Sequence, residues 1–247
     1  MKSGLALMLC IGFVIVMPCC DARSATDLVQ SRQPGLLDFE AGFRTSSCLT
    51  QGDVLNSLRR LSSAKSQPEA DEARQLLLNE SNSSPACRNQ VIAAIMEAMN
   101  KPNATFKGNP ELFNLWRAGA TLLGDLKANK ALDLLISHLD LSSGIFSTTM
   151  SQQPALSALI KMGPIAIPKL SAVMRGNPNP DFRRYAVYCI AAIGGQPTRR
   201  ALEHALPLES DPCVNRFIRV SIETLDSRTD RLKNDTGKWF SAFMCIG

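Results

Sequence analysis

Four 12-residue windows of this chain align with one another without gaps. They are residues 116–127 (WRAGATLLGDLK), 152–163 (QQPALSALIKMG), 183–194 (RRYAVYCIAAIG) and 214–225 (VNRFIRVSIETL), which begin 36, 31 and 31 residues apart. The fourth position holds Gly119, Ala155, Ala186 and Phe217, and the fifth holds Ala120, Leu156, Val187 and Ile218. The seventh holds Leu122, Ala158, Cys189 and Val220. Small or apolar side chains at these spacings form one stripe along a helix, and such a stripe must face a neighbour. A tight turn and a second amphipathic segment follow each of the first three windows, at residues 128–139, 165–175 and 198–208. A helix pair recurring at this period predicts an α-solenoid, in which each pair closes its open apolar face on the next.

The rest of the sequence agrees with helices. Breakers such as Gln67-Pro68, Ser84-Pro85, Gly108-Asn109-Pro110, Gly163-Pro164, Asn179-Pro180, Gly194-Gly195 and Asp211-Pro212 divide the chain into short segments. None of these segments shows sustained strand-like alternation. Hydrophobic residues make up 45% of the 247 and aromatics only 6%, a balance that favours Ala- and Leu-rich helices over a β-sandwich. With 20% charged residues, the chain has apolar surface enough for a core and is not of disordered composition. The expected class is therefore all-α, an α-α superhelix of about four to five helix pairs. It is expected over residues 51–247, after an irregular segment at 23–50. Residues 88–99 read as an earlier first helix.

Three stretches carry a family likeness. Arg117-Ala118 and Leu123-Gly124-Asp125 are followed by Ala131-Leu132-Asp133-Leu134-Leu135; Met162-Gly163-Pro164-Ile165 leads to Pro168-Lys169-Leu170; Arg183-Arg184 precedes Ala192-Ile193-Gly194. On these residues the chain resembles the HEAT repeat family, in the short bacterial form first noted in phycobilisome lyases. The likeness spans about residues 110–226. It implies closely packed helix pairs, with the Gly ending the first helix of each pair. Leu225 stands where a fourth such Gly would be. It also implies that Arg117 and Arg184 lie near a structural Arg position. On activity, repeats of this kind say almost nothing.

The chain opens with Met1-Lys2-Ser3-Gly4, an apolar run at residues 5–17, then Pro18 and Cys20-Asp21-Ala22. Charge, short apolar helix and small-residue end make the tripartite secretory signal, so residues 1–22 are expected to be removed after Ala22, with Ala25 as second choice. The run is 13 residues, short of the about 20 that span a bilayer. Val16-Met17-Pro18-Cys19 and Met17-Pro18-Cys19-Cys20 also resemble a lipobox, which makes Cys19 or Cys20 an alternative lipidation site and the product a membrane-anchored envelope protein. The expected location is secreted or periplasmic.

Export changes the meaning of the eight cysteines. Loss of residues 1–22 leaves Cys48, Cys87, Cys189, Cys213 and Cys245. None is in C-x-x-C spacing and the histidines are His138 and His204 alone, so no metal site is expected. Disulfides are the expected use in an oxidising compartment. Cys189, inside an apolar helical stretch, reads as the buried thiol. Cys48 with Cys87 and Cys213 with Cys245 are the proposed pairs because each falls in one local segment, although sequence alone does not fix connectivity.

Function is less legible. No nucleophile elbow, phosphate loop, zinc-protease or calcium-loop motif occurs, and His138 has no identifiable partner, so no catalytic residue and no cofactor are assigned. Residues 161–247 carry 13 Lys/Arg against 8 Asp/Glu, which puts the whole net charge of +5 at one end. Arg183, Arg184, Arg199, Arg200, Arg216 and Arg219 form a candidate basic binding end for an acidic partner. An excess of five charges is small, so a solvated, locally paired helix surface is the favoured reading of these arginines. The tail at 238–244, with Trp239, Phe240 and Phe243, reads as a cap on the last repeat, the alternative being an epitope. Sequons at Asn79, Asn82, Asn103 and Asn234 matter only in a eukaryotic secretory pathway. The expected function is a non-enzymatic extracytoplasmic scaffold for a protein partner, without nucleic acid. The alternatives are a lyase-like or cofactor-handling protein and a structural envelope lipoprotein.

Overall fold

Most breaks in the sequence are helix starts. A polar residue followed by proline supplies both the cap for free backbone N–H groups and a first residue whose missing N–H costs nothing there. Ser84 accepts from the backbone N–H of Cys87, Asn109 from that of Leu112, and Asn179 from that of Asp181, each just before a proline. Asp211 accepts from both Cys213 and Val214, at 2.9 Å each, ahead of Pro212.

The structure, a computed structural model, describes residues 47–100, 109–141, 153–226 and 243–245. The chain divides into Met1–Arg44 and Thr45–Gly247, and every described residue lies in the second unit. The proposed signal, its cleavage sites and the lipobox-like Cys19 and Cys20 therefore lie outside the described residues, as do Trp239 and Phe240. Among the described residues all regular structure is helical. The helices are α1 Gln51–Ser63, α2 Gln67–Ser83, α3 Pro85–Met99, α4 Pro110–Asp125, α5 Leu132–Ile136, α6 Pro154–Met162, α7 Ile167–Gly176, α8 Pro180–Ile193, α9 Gly195–Ala205 and α10 Pro212–Asp226. Short 3-10 turns precede α5 and α7 and follow α9.

A row of helices packs side by side: α1 on α4, α4 on α6, α6 on α8 and α8 on α10. α3 lies against α1 and α4, and α7 and α9 against α8. Every residue at the fourth, fifth and seventh window positions, from Gly119 to Val220, is buried. One segment, Pro154–Gly176, has a mean hydropathy of 1.3 and the length of a membrane span. It is divided at Gly163 into α6 and α7, and Leu156, Leu159, Leu170 and Met174 put their side chains in the core.

The helix-ending glycines need one correction. Gly163 and Gly194, at the twelfth window position, take φ of 73°, a conformation open to glycine and strained for other residues. In the first window the left-handed residue is Lys127, φ 46°, while Gly124 lies inside the last turn of α4. Gly124 is a packing residue: a Cβ there would stand 2.9 Å from Cα of Ala158 and 3.0 Å from its carbonyl oxygen. A Cβ on Gly119 would instead meet side chains, Met99 Sδ at 2.6 Å and Cγ at 3.0 Å and Ile95 Cγ2 at 3.2 Å, with no backbone among them.

Opposite outcomes are expected at these two glycines. Gly119→Ala should shift stability by under about 1 kcal/mol, since Met99 can turn aside and alanine favours the helix. Gly124→Ala should cost about 1–3 kcal/mol, because backbone of α6 must move. Chemical denaturation of both variants tests this, and equal costs would refute the assigned contact.

Candidate functional site

Helices packed in a row leave a trough where side chains of adjacent members diverge, and in this chain polar and apolar side chains share its lining. Two adjoining clefts of about 490 and 370 Å³ open along α1, α4 and α6. Arg59, Ser62 and Ser63 of α1 and Glu111, Asn114 and Leu115 of α4 line the first. Ser62 and Asn114 continue into the second, which adds Arg74, Arg117, Thr121 and Ser157. Asn114, Arg117, Ala118 and Thr121 follow the helical spacing that puts them on one face of α4.

The cationic groups of the cleft differ in their engagement. Arg74 donates to Asp125 Oδ2 at 2.7 Å, and Lys161 of α6 donates to Oδ1 of the same carboxylate at 3.0 Å. That carboxylate ties α2, α4 and α6 together. Arg59 and Arg117 are exposed and make no side-chain ion pair among the described residues. Their neighbour Arg60 is paired with Glu72 at 3.6 Å. The acidic groups nearby are Glu111 at one end and Glu97, which accepts from Gln51 Nε2 at 2.6 Å and lines a smaller recess beside Arg59.

The candidate basic end separates into two kinds of residue. Arg183 serves the fold: its guanidinium meets both oxygens of Glu209 at 2.9 Å and donates to the carbonyl of Asn177 at 2.8 Å. The pair is 13% and 5% exposed, and the hydrogen bonds to Glu209 hold the Arg183 charge more firmly than usual. Arg184 pairs with Asp181, donates to the carbonyl of Phe243 at 2.8 Å and lies over that ring. Arg199 pairs with Glu203 at 3.2 Å and Arg219 donates to Asn215 at 2.9 Å. Arg200 and Arg216 are exposed. The six arginines thus do not form one free patch, because local carboxylates and carbonyls already hold several of them.

Phe243 of the tail rests on Tyr185, Tyr188 and Phe217, with ring centroids 5.7, 5.7 and 5.4 Å away. Burial in this cluster raises the hydroxyl pKa of both tyrosines. Cys245, two residues on, is bonded to Cys213, and Cys48 is bonded to Cys87. Cys189 is the free cysteine among the described residues, and burial pushes its thiol pKa far up, so it stays protonated. Cys48, Glu80 and Cys87 present ligand-type atoms within 4.8 Å of one another. The disulfide occupies both sulfurs, and Glu80 accepts from the backbone N–H of Leu49 at 2.8 Å. His138 is half-buried against Trp116, with Nδ1 2.9 Å from the Leu134 carbonyl and 3.0 Å from the Ser137 hydroxyl.

Sequence reasoning missed the cleft, since Arg59, Arg74 and Arg117 fall in the part of the chain with no net charge. The polar stripe of α4 was the one signal available, and it has meaning only beside α1. Set against known protein families and curated proteins, the sequence matches no family model and no curated relative.

Proposed function

We propose that this chain is a non-enzymatic, extracytoplasmic α-solenoid scaffold of the HEAT type that holds a protein partner. The observation that carries the reading is the open cleft running across α1, α4 and α6, a shape suited to a chain rather than to a small enclosed substrate. Side-by-side packing of α1, α4, α6, α8 and α10, with the repeated stripe buried, supports the solenoid. Two disulfides support an oxidising location. His138, in its helix-end contacts, supplies no reason to prefer a lyase-like activity.

Mild crosslinking in the native cell, followed by affinity recovery of the tagged full chain, is the direct measurement. One protein at near-equimolar ratio is expected. A co-purifying chromophore with no crosslinked protein would overturn the scaffold reading in favour of cofactor handling.

A further inference from the structure

We propose that the α1–α4–α6 cleft takes an extended peptide segment with acidic side chains, whose carboxylates pair with Arg59 and Arg117. The proposal rests on the scaffold reading and names the partner's chemistry. Four observations lead to it. First, the cleft follows α4 from Asn109 to Thr121, and twelve residues of helix at 1.5 Å each give about 18 Å. An extended chain advances about 3.3–3.6 Å per residue, so about five residues fit along it. Second, Arg59 and Arg117 stand on opposite walls, one on α1 and one on α4, on either side of the shared Ser62 and Asn114. Neither makes an ion pair among the described residues, whereas Arg60, Arg74, Arg183, Arg184 and Arg199 all do. A guanidinium left with its donor fork free is suited to a two-point grip on an incoming carboxylate.

Third, the remaining lining suits a peptide. Asn114 offers an amide that can both donate to and accept from a backbone, and Leu112, Leu115 and Ala118 provide an apolar floor for the chain. Fourth, the acidic groups near the cleft set a direction. Glu111 lies at the end of the cleft where α4 begins, and Glu97 is engaged by Gln51 beside Arg59. A bound chain therefore places its carboxylates toward Arg59 and Arg117 and leaves a neutral or basic residue near Glu111.

A phage-displayed library of random dodecapeptides, panned on the immobilised full chain, tests the proposal. Recovered sequences are expected to be enriched in Asp and Glu. Their affinity, measured by fluorescence anisotropy on synthetic peptides, should fall at least tenfold in the Arg59→Glu/Arg117→Glu variant and weaken with added salt. The paired neutral variant Arg59→Gln/Arg117→Gln guards against a folding artefact, and circular dichroism checks both. Arg200→Glu, which changes an exposed arginine of α9, should alter affinity less than twofold. Recovery of no peptides, recovery of neutral or basic ones, or an equal loss in Arg200→Glu would overturn the proposal. So would heparin binding with the same dependence on Arg59 and Arg117, which would assign the site to polyanions. A crosslinked protein partner that survives the double reversal would refute the cleft while leaving the scaffold reading standing.

Discussion

Replacing Glu209 by alanine is expected to lower the unfolding free energy by about 2–4 kcal/mol, because it breaks a largely covered two-point ion pair. Glu209 is 5% exposed and Arg183 13%, so the substitution leaves a mostly covered guanidinium with half its hydrogen bonds gone. It also removes the acceptor for the backbone N–H of Asp211, at 2.8 Å from Oε1. The pair joins the turn before α8 to the turn before α10, because Arg183 at the same time holds the carbonyls of Asn177 and Pro178. Much of the cost comes from stranding the charge, which gives a second expected result. Arg183→Met combined with Glu209→Leu should recover most of the lost stability, since an apolar pair of similar size has no charge to desolvate. Urea denaturation of the two single variants and the double variant closes the cycle. A Glu209→Ala loss under about 1 kcal/mol would mean that the pair is solvated.

Reduction of the disulfides, which breaks two bridges at once, is expected to cost more still. The bridges close loops of 39 and 32 residues, for which the chain-entropy relation gives about 4 kcal/mol each. The two should nonetheless differ in what they release. Cys48→Ser frees the residues leading into α1, which are also held by the Leu49 N–H to Glu80 and by Gln90 Nε2 to the Leu49 carbonyl at 2.8 Å. Cys245→Ser frees the end of the chain that carries Phe243. Loss of that anchor is expected to expose Tyr185, Tyr188 and Phe217 to water, raising tyrosine fluorescence quenching by iodide. Thermal melts with and without reductant, together with the two serine variants, measure both effects. A melting temperature unchanged by reductant would show that the bridges do not hold the folded state.

How far the sequence reached is clearest at single residues. The window positions from Gly119 to Val220 were assigned to a packed stripe by periodicity alone, and all are buried. Periodicity works here because a helix turns by a fixed angle, so spacing along the chain sets direction in space. The cysteine pairs were reachable for a similar reason, since each joins neighbouring elements of one local segment. Gly124 was misassigned because two demands select glycine: a left-handed backbone and a close helix approach. Sequence cannot separate them until the neighbour, Ala158, is known. The tail cap was legible as aromatic residues, but only Phe243 of the three falls among the described residues.

The candidate site was harder. Summed charge pointed to residues 161–247, and several arginines there are held by carboxylates or carbonyls of nearby turns. Net charge counts groups without their partners, and Arg183 and Glu209 are 26 residues apart in the chain. The unengaged arginines of the cleft, Arg59 and Arg117, belong to α1 and α4, which are brought together by core packing.

What the sequence determined by itself was the helical class, the buried stripe and the helix starts. All of these follow from backbone geometry and nearest-neighbour spacing. The tertiary structure alone decided which arginines are held, which glycine sets the distance between α4 and α6, and where a cleft opens. Those depend on side chains that meet across tens of residues, and their energies come from desolvation and contact, which no period in the sequence encodes.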